Sequence, residues 1–209
     1  MREYPQCLLD PAQCAVVIVD HQPHMYFGVE SASRGMIMNN VLGLAKTAAA
    51  FDVPCLLTTV EADTFSGRLY SKLQNALPQT VPIDRTSINC WEDANFRAAL
   101  EATGRKSIIF AGLWTEACVT FPALSMSQDG YKVYVAADAC GGASKMAHEN
   151  ALTRMTQAGV TPVTWQQVLL EFQRDWNNME TYDAVMSIVK EYGGAYALSF
   201  ELNEQVQFN

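Results

Sequence analysis

The segment KSIIFAGLWTEACVTFPALSMSQDG, residues 106–130, joins a strand pattern directly to a helix pattern. Its first residues form a short apolar run of the kind found in a buried strand, and the longer run that follows is typical of a helix. Gly130 stands where a helix must end before the next strand begins. The segment therefore predicts a strand over 106–112 and a helix over 115–129, the repeating unit of a parallel sheet covered by helices.

The same alternation runs along the rest of the chain. The other predicted strands cover 14–20, 54–60, a short run near 87–89, 132–137 and 160–164. The other predicted helices lie near 34–51, 68–76, 92–103, 144–158, 165–174 and 180–191. The pattern predicts one α/β domain over residues 1–209, a Rossmann-like three-layer sandwich in which a six-stranded, mostly parallel sheet carries helices on both faces.

The composition favours a small-molecule partner over a nucleic acid or a membrane. The 209 residues carry a net charge of −8, and their 14 Lys and Arg are spread along the chain instead of clustering for phosphate binding. No run reaches the roughly 18 apolar residues of a membrane span. The N-terminal residues lack the apolar run of a secretory signal, and the six cysteines show no paired spacing. These features predict a cytoplasmic protein with free thiols.

A carboxylate follows the first predicted strand. Folds of this class bind ligands beyond the carboxyl ends of their strands, which is where Asp20 follows the apolar run AVVIV. An Asp at such a place commonly closes a turn or caps a helix, so Asp20 alone is weak evidence for a site. No GxG motif follows it, which removes the main support for a nicotinamide or flavin. No cofactor is predicted.

A cysteine occupies the start of the predicted helix 115–129. If Thr115 caps that helix, Cys118 lies in its first turn, where unpaired N–H groups and the helix dipole favour a thiolate. The N–H groups of Ala117 and Cys118 could then stabilise an oxyanion on a substrate carbonyl. Pro122 cannot donate to the Cys118 carbonyl, so a distorted turn is expected. The alternative interpretation is a buried structural cysteine.

Three segments carry a resemblance to a known family. VVIVD at 16–20, DRTSINCWEDANF at 84–96 and AGLWTEACVTFPAL at 111–124 resemble the isochorismatase-like cysteine hydrolases, in particular their YcaC-like branch. The similarity extends from about residue 10 to about residue 176, and its most specific part is the Gly-x-x-Thr-x-x-Cys segment. Members of the family use an Asp, a Lys and a Cys at one site. The resemblance therefore implies catalytic roles for Asp20 and Cys118, and it places Arg85 at the position of the lysine.

The reaction that the resemblance implies is the hydrolysis of a small amide or a related carbonyl or carbamoyl compound. Asp20 takes the thiol proton, the Cys118 thiolate attacks the carbonyl, and water later releases the acyl group. Arg85 is permanently charged and cannot exchange protons as a lysine can, so we expect an electrostatic role for it. The resemblance also implies a cis peptide bond at Trp114–Thr115.

No metal site is predicted. Metal-dependent relatives have an Asp and two His after the second strand, where this chain has VEADTFSGRLY at 60–70. Glu61 and Asp63 are of a type that is usually solvated in loops, and His21 and His24 lack a third ligand at a suitable spacing. Weaker candidates for a substrate pocket are aromatic and polar residues near predicted strand ends: His24, Phe27, Asn89, Trp91, Trp114 and Phe121.

Two other functions stay open. Arg85 in place of lysine fits a catalytically silent binding or assembly protein that keeps the fold. A redox-responsive thiol protein would oxidise Cys118 reversibly and would need a resolving cysteine, for which Cys140 is the candidate. The tail, about residues 176–209, adds a helical stretch and an apolar end that the sheet does not require, which predicts a homo-oligomer.

Overall fold

A computed structural model of the chain describes residues 8–207, and six strands of this part form one sheet. Their order across the sheet is β3-β2-β1-β4-β5-β6, and every neighbouring pair is parallel. The predicted three-layer α/β architecture is confirmed. The strands are β1 (Cys14–Val19), β2 (Cys55–Val60), β3 (Ile83–Arg85), β4 (Ser107–Gly112), β5 (Lys132–Ala136) and β6 (Thr161–Val163).

The third strand lies earlier than the sequence predicts. Ile83–Arg85 pairs with β2, whereas the expected run 87–89 contains a bend and no strand. The Asn89 side chain accepts a hydrogen bond from the backbone N–H of Trp91 at 3.1 Å and begins a short 3₁₀ helix. The prediction near 87–89 was wrong because Asn89, although its backbone is extended, caps a helix instead of continuing a strand.

Nine α-helices cover the sheet in the described part of the chain. α1 (Pro23–Phe27) was not predicted; it begins with a proline, which suits the first helical position. The others are α2 (Arg34–Ala50), α3 (Ser71–Ala76), α4 (Ala94–Ala102), α5 (Thr120–Gln128), α6 (Lys145–Gln157), α7 (Trp165–Gln173), α8 (Met179–Tyr192) and α9 (Ala195–Gln207).

Two cores lie on opposite faces of the sheet, as the alternation of side chains in β1 requires. Val16 and Ile18 pack with α2, α7 and α8, whereas Val17 and Val19 pack with α4, α5 and α6. β1 is buried along its whole length, which explains its uninterrupted apolar sequence. A third, smaller cluster beneath α1 covers the carboxyl edge of the sheet.

The tail consists of two helices that differ in their burial. α8 buries Val185, Ile188 and Val189 in the first core. α9 packs Tyr196 and Phe200 against the same core. Among residues 8–207, no helix is long and apolar enough to cross a lipid bilayer.

Candidate active site

Asp20 stands one residue beyond the end of β1 with its backbone in the left-handed region, at φ 54°. Its N–H donates to the Thr58 carbonyl at 3.0 Å, and its carbonyl accepts from the Gln22 N–H at 2.7 Å. A positive φ is uncommon for a residue other than glycine, although Asp tolerates it better than most. The tight turn places the buried Asp20 carboxylate at the carboxyl edge of the sheet.

Arg85 ends β3 and forms an ion pair with Asp20. Arg85 Nη2 donates to Asp20 Oδ2 at 2.9 Å, and both side chains are 0% exposed. The preceding residue, Asp84, faces away and accepts hydrogen bonds from Thr59 Oγ1 and the Ala62 N–H. The sheet order therefore brings together two residues that are far apart in the sequence, as the predicted site requires.

Cys118 lies on a π-helical turn, Thr115–Val119, that precedes α5. The N–H of Thr120 reaches back to the carbonyl of Thr115, five residues earlier, as in a π-helix. Pro122 stands four residues after Cys118, and the distorted turn agrees with the expectation drawn from it. Such turns are frequent at functional sites.

Thr115 does not cap the helix, so that expectation was wrong. The turn begins at Thr115 itself and follows Trp114, which makes no side-chain cap. The Thr115 hydroxyl is instead 2.8 Å from Nδ1 of His148, and its N–H donates to the Gly141 carbonyl at 2.9 Å.

The resting Cys118 is a protonated thiol, which corrects the thiolate expected at a helix start. Burial and the neighbouring Asp20 charge raise the pKa of Cys118 to about 12, and they outweigh the opposing effect of Arg85. Burial raises the pKa of Asp20 to about 6, although the Arg85 charge and hydrogen bond lower it. At neutral pH the site therefore holds a carboxylate, a guanidinium and a thiol. This is the charge state in which Asp20 can act as a base toward Cys118.

Two backbone expectations also need correction. The cis peptide bond lies at Leu113–Trp114, one residue before the expected Trp114–Thr115 bond. The peptide after Trp114 is trans and directs its N–H at Gly141, continuing the bridge between Leu113 and Gly141. The N–H of Ala117 donates to the Trp114 carbonyl at 3.1 Å. Of the two proposed oxyanion donors, Ala117 is therefore already engaged within the turn, which leaves the Cys118 N–H as the candidate.

A comparison with family models finds the isochorismatase domain over residues 14–167. This range contains Asp20, Arg85 and Cys118. The chain belongs to the isochorismatase family. It is 39% identical to "Probable hydrolase YcaC" of Escherichia coli over 175 residues, which are 83% of this chain and 84% of that protein.

Two solved structures of YcaC proteins place the chain in the YcaC-like branch of the isochorismatase family. YcaC from Pseudomonas aeruginosa, solved with hexane-2,5-diol and covalent acrylamide, superposes with a TM-score of 0.91 at 35% identity. The match covers 97% of this chain and 100% of that one. Escherichia coli YcaC, described as an octameric hydrolase of unknown specificity, gives a TM-score of 0.91 at 34% identity over 98% of this chain and 100% of that one.

Among the pocket candidates, Trp114 makes a direct contact with Cys118. The Trp114 backbone makes a hydrogen bond toward Cys118 that lowers the pKa of the thiol. Its indole donates to the Met25 carbonyl at 2.8 Å and packs so closely on Gly28 that a side chain there would collide with it. Trp114 thus links the π-helical turn that carries Cys118 to α1.

Three of the other pocket candidates, Phe27, His24 and Phe121, are exposed. Phe27 is 79% exposed and borders a cavity of about 380 Å³ between α1, α2 and Tyr70. His24 is exposed and stacks edge-on with Phe65, and Phe121 is 37% exposed on α5.

Asn89 and Trp91 serve structural contacts in this structure. The Asn89 amide donates to Glu92 and Ser125, and the Trp91 indole donates to Asp129 at 2.7 Å. Trp91 is otherwise buried in the second core. Both side chains are therefore committed to hydrogen bonds away from the ion pair.

Two features accompany the site whose burial and contacts the sequence pattern does not show. His21 is fully buried, with Nδ1 2.6 Å from the Tyr26 hydroxyl, and burial lowers its pKa to about 3. Cys90 lies beside Arg85, which lowers the pKa of its thiol against a larger rise from burial. Only the spacing of Cys90 after Arg85 could have signalled this contact. Cys140, the candidate for a resolving cysteine in the redox alternative, is buried near the Gly112 backbone.

No group of three or more His, Cys, Asp or Glu side chains is placed to hold a metal ion within the described residues. Glu61 accepts a hydrogen bond from Thr64, and Asp63 lies 3.7 Å from Arg68 in an exposed pair. These contacts show that both carboxylates of the loop after β2 have local partners.

Proposed function

We propose that the chain is a cysteine hydrolase that needs no metal and acts on a small amide or a related carbonyl or carbamoyl compound. Cys118 is the nucleophile, Asp20 the base and Arg85 the fixed positive charge. The observation that carries the proposal is the buried Asp20–Arg85 ion pair at 2.9 Å with the Cys118 thiol beside Asp20. The YcaC relative in Escherichia coli bears the name of a probable hydrolase, which agrees with this reaction class.

The proposed mechanism begins with proton transfer from Cys118 Sγ to the Asp20 carboxylate. Sulfur attacks the carbonyl carbon, and the Cys118 N–H faces the oxygen that becomes negative. The tetrahedral intermediate collapses, the amine leaves with the proton held by Asp20, and a thioester forms on Cys118. Water then loses a proton to Asp20 and adds to the thioester, and the acid product departs as the thiol regains that proton.

Arg85 has an electrostatic role in this scheme. Its charge lowers the pKa of Asp20 against the effect of burial, so the carboxylate is ionised at neutral pH. Because a guanidinium stays protonated throughout the accessible pH range, each proton passes through Asp20 and none through Arg85. Lysine-dependent chemistry is therefore not needed for the cycle.

We also infer a homo-oligomer in a reducing cytoplasm. The octameric state described for the Escherichia coli relative supports assembly, since the two chains superpose over nearly their whole lengths. The five described cysteines are free thiols, four of them buried, as is common for proteins of a reducing compartment.

The proposal is tested by alkylation of Cys118 with iodoacetamide and with acrylamide, read by peptide mass spectrometry. Acrylamide is chosen because it is covalently present in the Pseudomonas aeruginosa structure. Cys55 and Cys140 in the same protein are the reference thiols. We expect Cys118 to react at least about tenfold faster than either, with a rate that rises through about pH 6 as Asp20 ionises.

Variants of the ion pair identify the base. Asp20→Asn should abolish the rise of the Cys118 alkylation rate with pH. Arg85→Met should move that rise to higher pH, because the charge that lowers the pKa of Asp20 is lost. Arg85→Lys is the matched control, and it should leave the rise near its original pH. If Cys118 reacts no faster than the reference thiols and ignores these changes, the silent-scaffold interpretation replaces the hydrolase. A reactive Cys118 justifies screening amides for ammonia release.

A further inference from the structure

The π-helical turn that carries Cys118 is hydrogen-bonded to α6 and to the loop before α6. Thr115, the first residue of the turn, is completely buried and uses each of its polar groups. Its N–H donates to the Gly141 carbonyl at 2.9 Å, and its carbonyl accepts from the Thr120 hydroxyl at 2.5 Å and from the Thr120 N–H. Its hydroxyl lies 2.8 Å from His148 Nδ1. Thr115 thus ties both ends of the turn to its surroundings.

His148 reaches Thr115 from the first turns of α6. Ser144 caps this helix through a hydrogen bond with the Ala147 N–H at 3.1 Å, and the His148 N–H donates to the Ser144 carbonyl. The cap therefore holds the first turn of α6, from which His148 extends, against the loop. Burial lowers the pKa of His148, so the ring is neutral at neutral pH and shares one hydrogen bond with the Thr115 hydroxyl.

The neighbouring residue of the turn makes a second contact with the same loop. Glu116 Oε1 accepts from the Ala143 N–H at 2.8 Å. Gly142 approaches Glu116 so closely that a side chain at this position would collide with Oε2. Two consecutive residues of the turn, Thr115 and Glu116, are therefore bonded to α6 and to the loop before it.

We propose that His148 is a positioning residue for Cys118, acting through its hydrogen bond with Thr115. Without that bond the buried hydroxyl loses its partner, and the turn gains freedom to relax toward a regular helix. Relaxation would change the placement of Sγ relative to Asp20. This inference rests on the proposed function of Cys118 as a nucleophile.

The experiment measures the second-order rate of Cys118 alkylation in the full chain between about pH 6 and pH 10. His148→Leu removes the ring nitrogen, and we expect the rate to fall about tenfold. The unfolding midpoint in urea should fall as well, because the buried Thr115 hydroxyl loses its partner. His148→Asn keeps a polar atom near the position of Nδ1 and should restore most of the rate. Thr156→Val is the matched control, because it removes a hydrogen bond of the same helix that faces solvent and ends at Leu152.

Thr115→Val tests the other end of the bond if His148→Leu does not fold. It should lower the rate as His148→Leu does, and combining the two changes should add little more. The positioning role is overturned if His148→Leu and Thr115→Val are as reactive as the parent, or if His148→Asn fails to recover the rate. A parent Cys118 no faster than Cys55 and Cys140 would overturn the proposed function instead, so the two failures are distinct.

Discussion

At the scale of single residues, the site depends on one cation that is held permanently. The Arg85 guanidinium is fully buried, and its charge is opposed by the Asp20 carboxylate. A buried pair of this kind is strongly destabilised when one partner is removed, because the other is left as an uncompensated charge. The pair therefore acts on the stability of the carboxyl edge as well as on the ionisation of Asp20.

Most of the proposed catalytic set could be picked out from the sequence, but the ionisation of its groups could not. The motif around Cys118 and the strand-end position of Asp20 identify both residues, and the alignment of segments identifies Arg85. The raised pKa of Cys118 results from its burial in the fold and from the nearby Asp20. Neither can be predicted from the residues next to Cys118 in the sequence. His148 escaped notice because its contact with Thr115 joins two distant segments.

His21 should make the protein lose stability in acid. Its pKa is lowered to about 3 in the folded protein by burial, whereas in the unfolded chain it is about 6.5. Below pH 6.5 the unfolded chain binds a proton that the folded protein excludes, so stability present above that pH is lost as the pH falls. His21→Asn removes this titration and keeps a polar atom for the Tyr26 hydroxyl.

The measurement is the free energy of unfolding in urea at pH 7 and at pH 5 for both proteins. Between these values the parent should lose about 2 kcal/mol more than His21→Asn. Asp20 titrates in both proteins, so its opposite contribution cancels in the comparison. Equal losses would mean that His21 accepts a proton in the folded protein.

At the scale of elements, α2 packs closely against α7 because Gly43 has no side chain at the contact. A Cβ on Gly43 would lie 2.6 Å from the Trp165 ring, inside the closest contact that packed atoms accept. Trp165 is buried and begins α7. The glycine therefore sets the distance between the two helices at the cost of some helix propensity.

Gly43→Ala should destabilise the protein by about 1–3 kcal/mol, because the collision with Trp165 outweighs the better propensity of alanine. Gly35→Ala is the matched control in the same helix, where the nearest atom to a new Cβ is Ser33 Oγ at 3.7 Å. It should leave stability unchanged or raise it by up to about 1 kcal/mol. Urea midpoints of the two variants check this, and a stabilised Gly43→Ala would contradict the packing argument.

The elements themselves were largely predictable, and the failures share a cause. The spacing of apolar residues predicts long buried strands such as β1 and periodic helices such as α2. β3 has only three residues, of which Asp84 and Arg85 are charged. The apparent strand at 87–89 is a bend that ends where Asn89 caps a 3₁₀ helix. α1 has only five residues, which is too short for an apolar face to repeat along it. Short elements are decided by side-chain bonds that periodicity does not register.

At the scale of the whole molecule, α9 presents apolar side chains outward. Leu198 and Leu202 lie one helical turn apart and are 56% and 61% exposed, whereas Ala197 faces inward. Exposed apolar stripes of this kind commonly mark contacts between subunits. The tail is thus the surface we propose for assembly, with α8 supporting it from the core.

Replacing both Leu198 and Leu202 with Glu should reduce the oligomer to smaller species without unfolding the chain. The two glutamate charges would be buried without a partner in the subunit contact, which is unfavourable, but would be solvated in the separate subunit. Mass photometry of the variant and of Met146→Glu, a control with similar exposure on α6, measures the effect. An unchanged oligomer in the double variant would place the subunit contact elsewhere.

The strand order has a consequence for how the protein is made. β1, the first strand synthesised, occupies the middle of the sheet and pairs on one side with β4, from the second half of the chain. A nascent chain that has left the ribosome only as far as β3 therefore has a central strand with one open edge. Folding dominated by such distant pairings is slow, because loop closure must precede the contacts that reward it. We expect the sheet to close only when β4 emerges, and Cys118 to meet Asp20 in the same event.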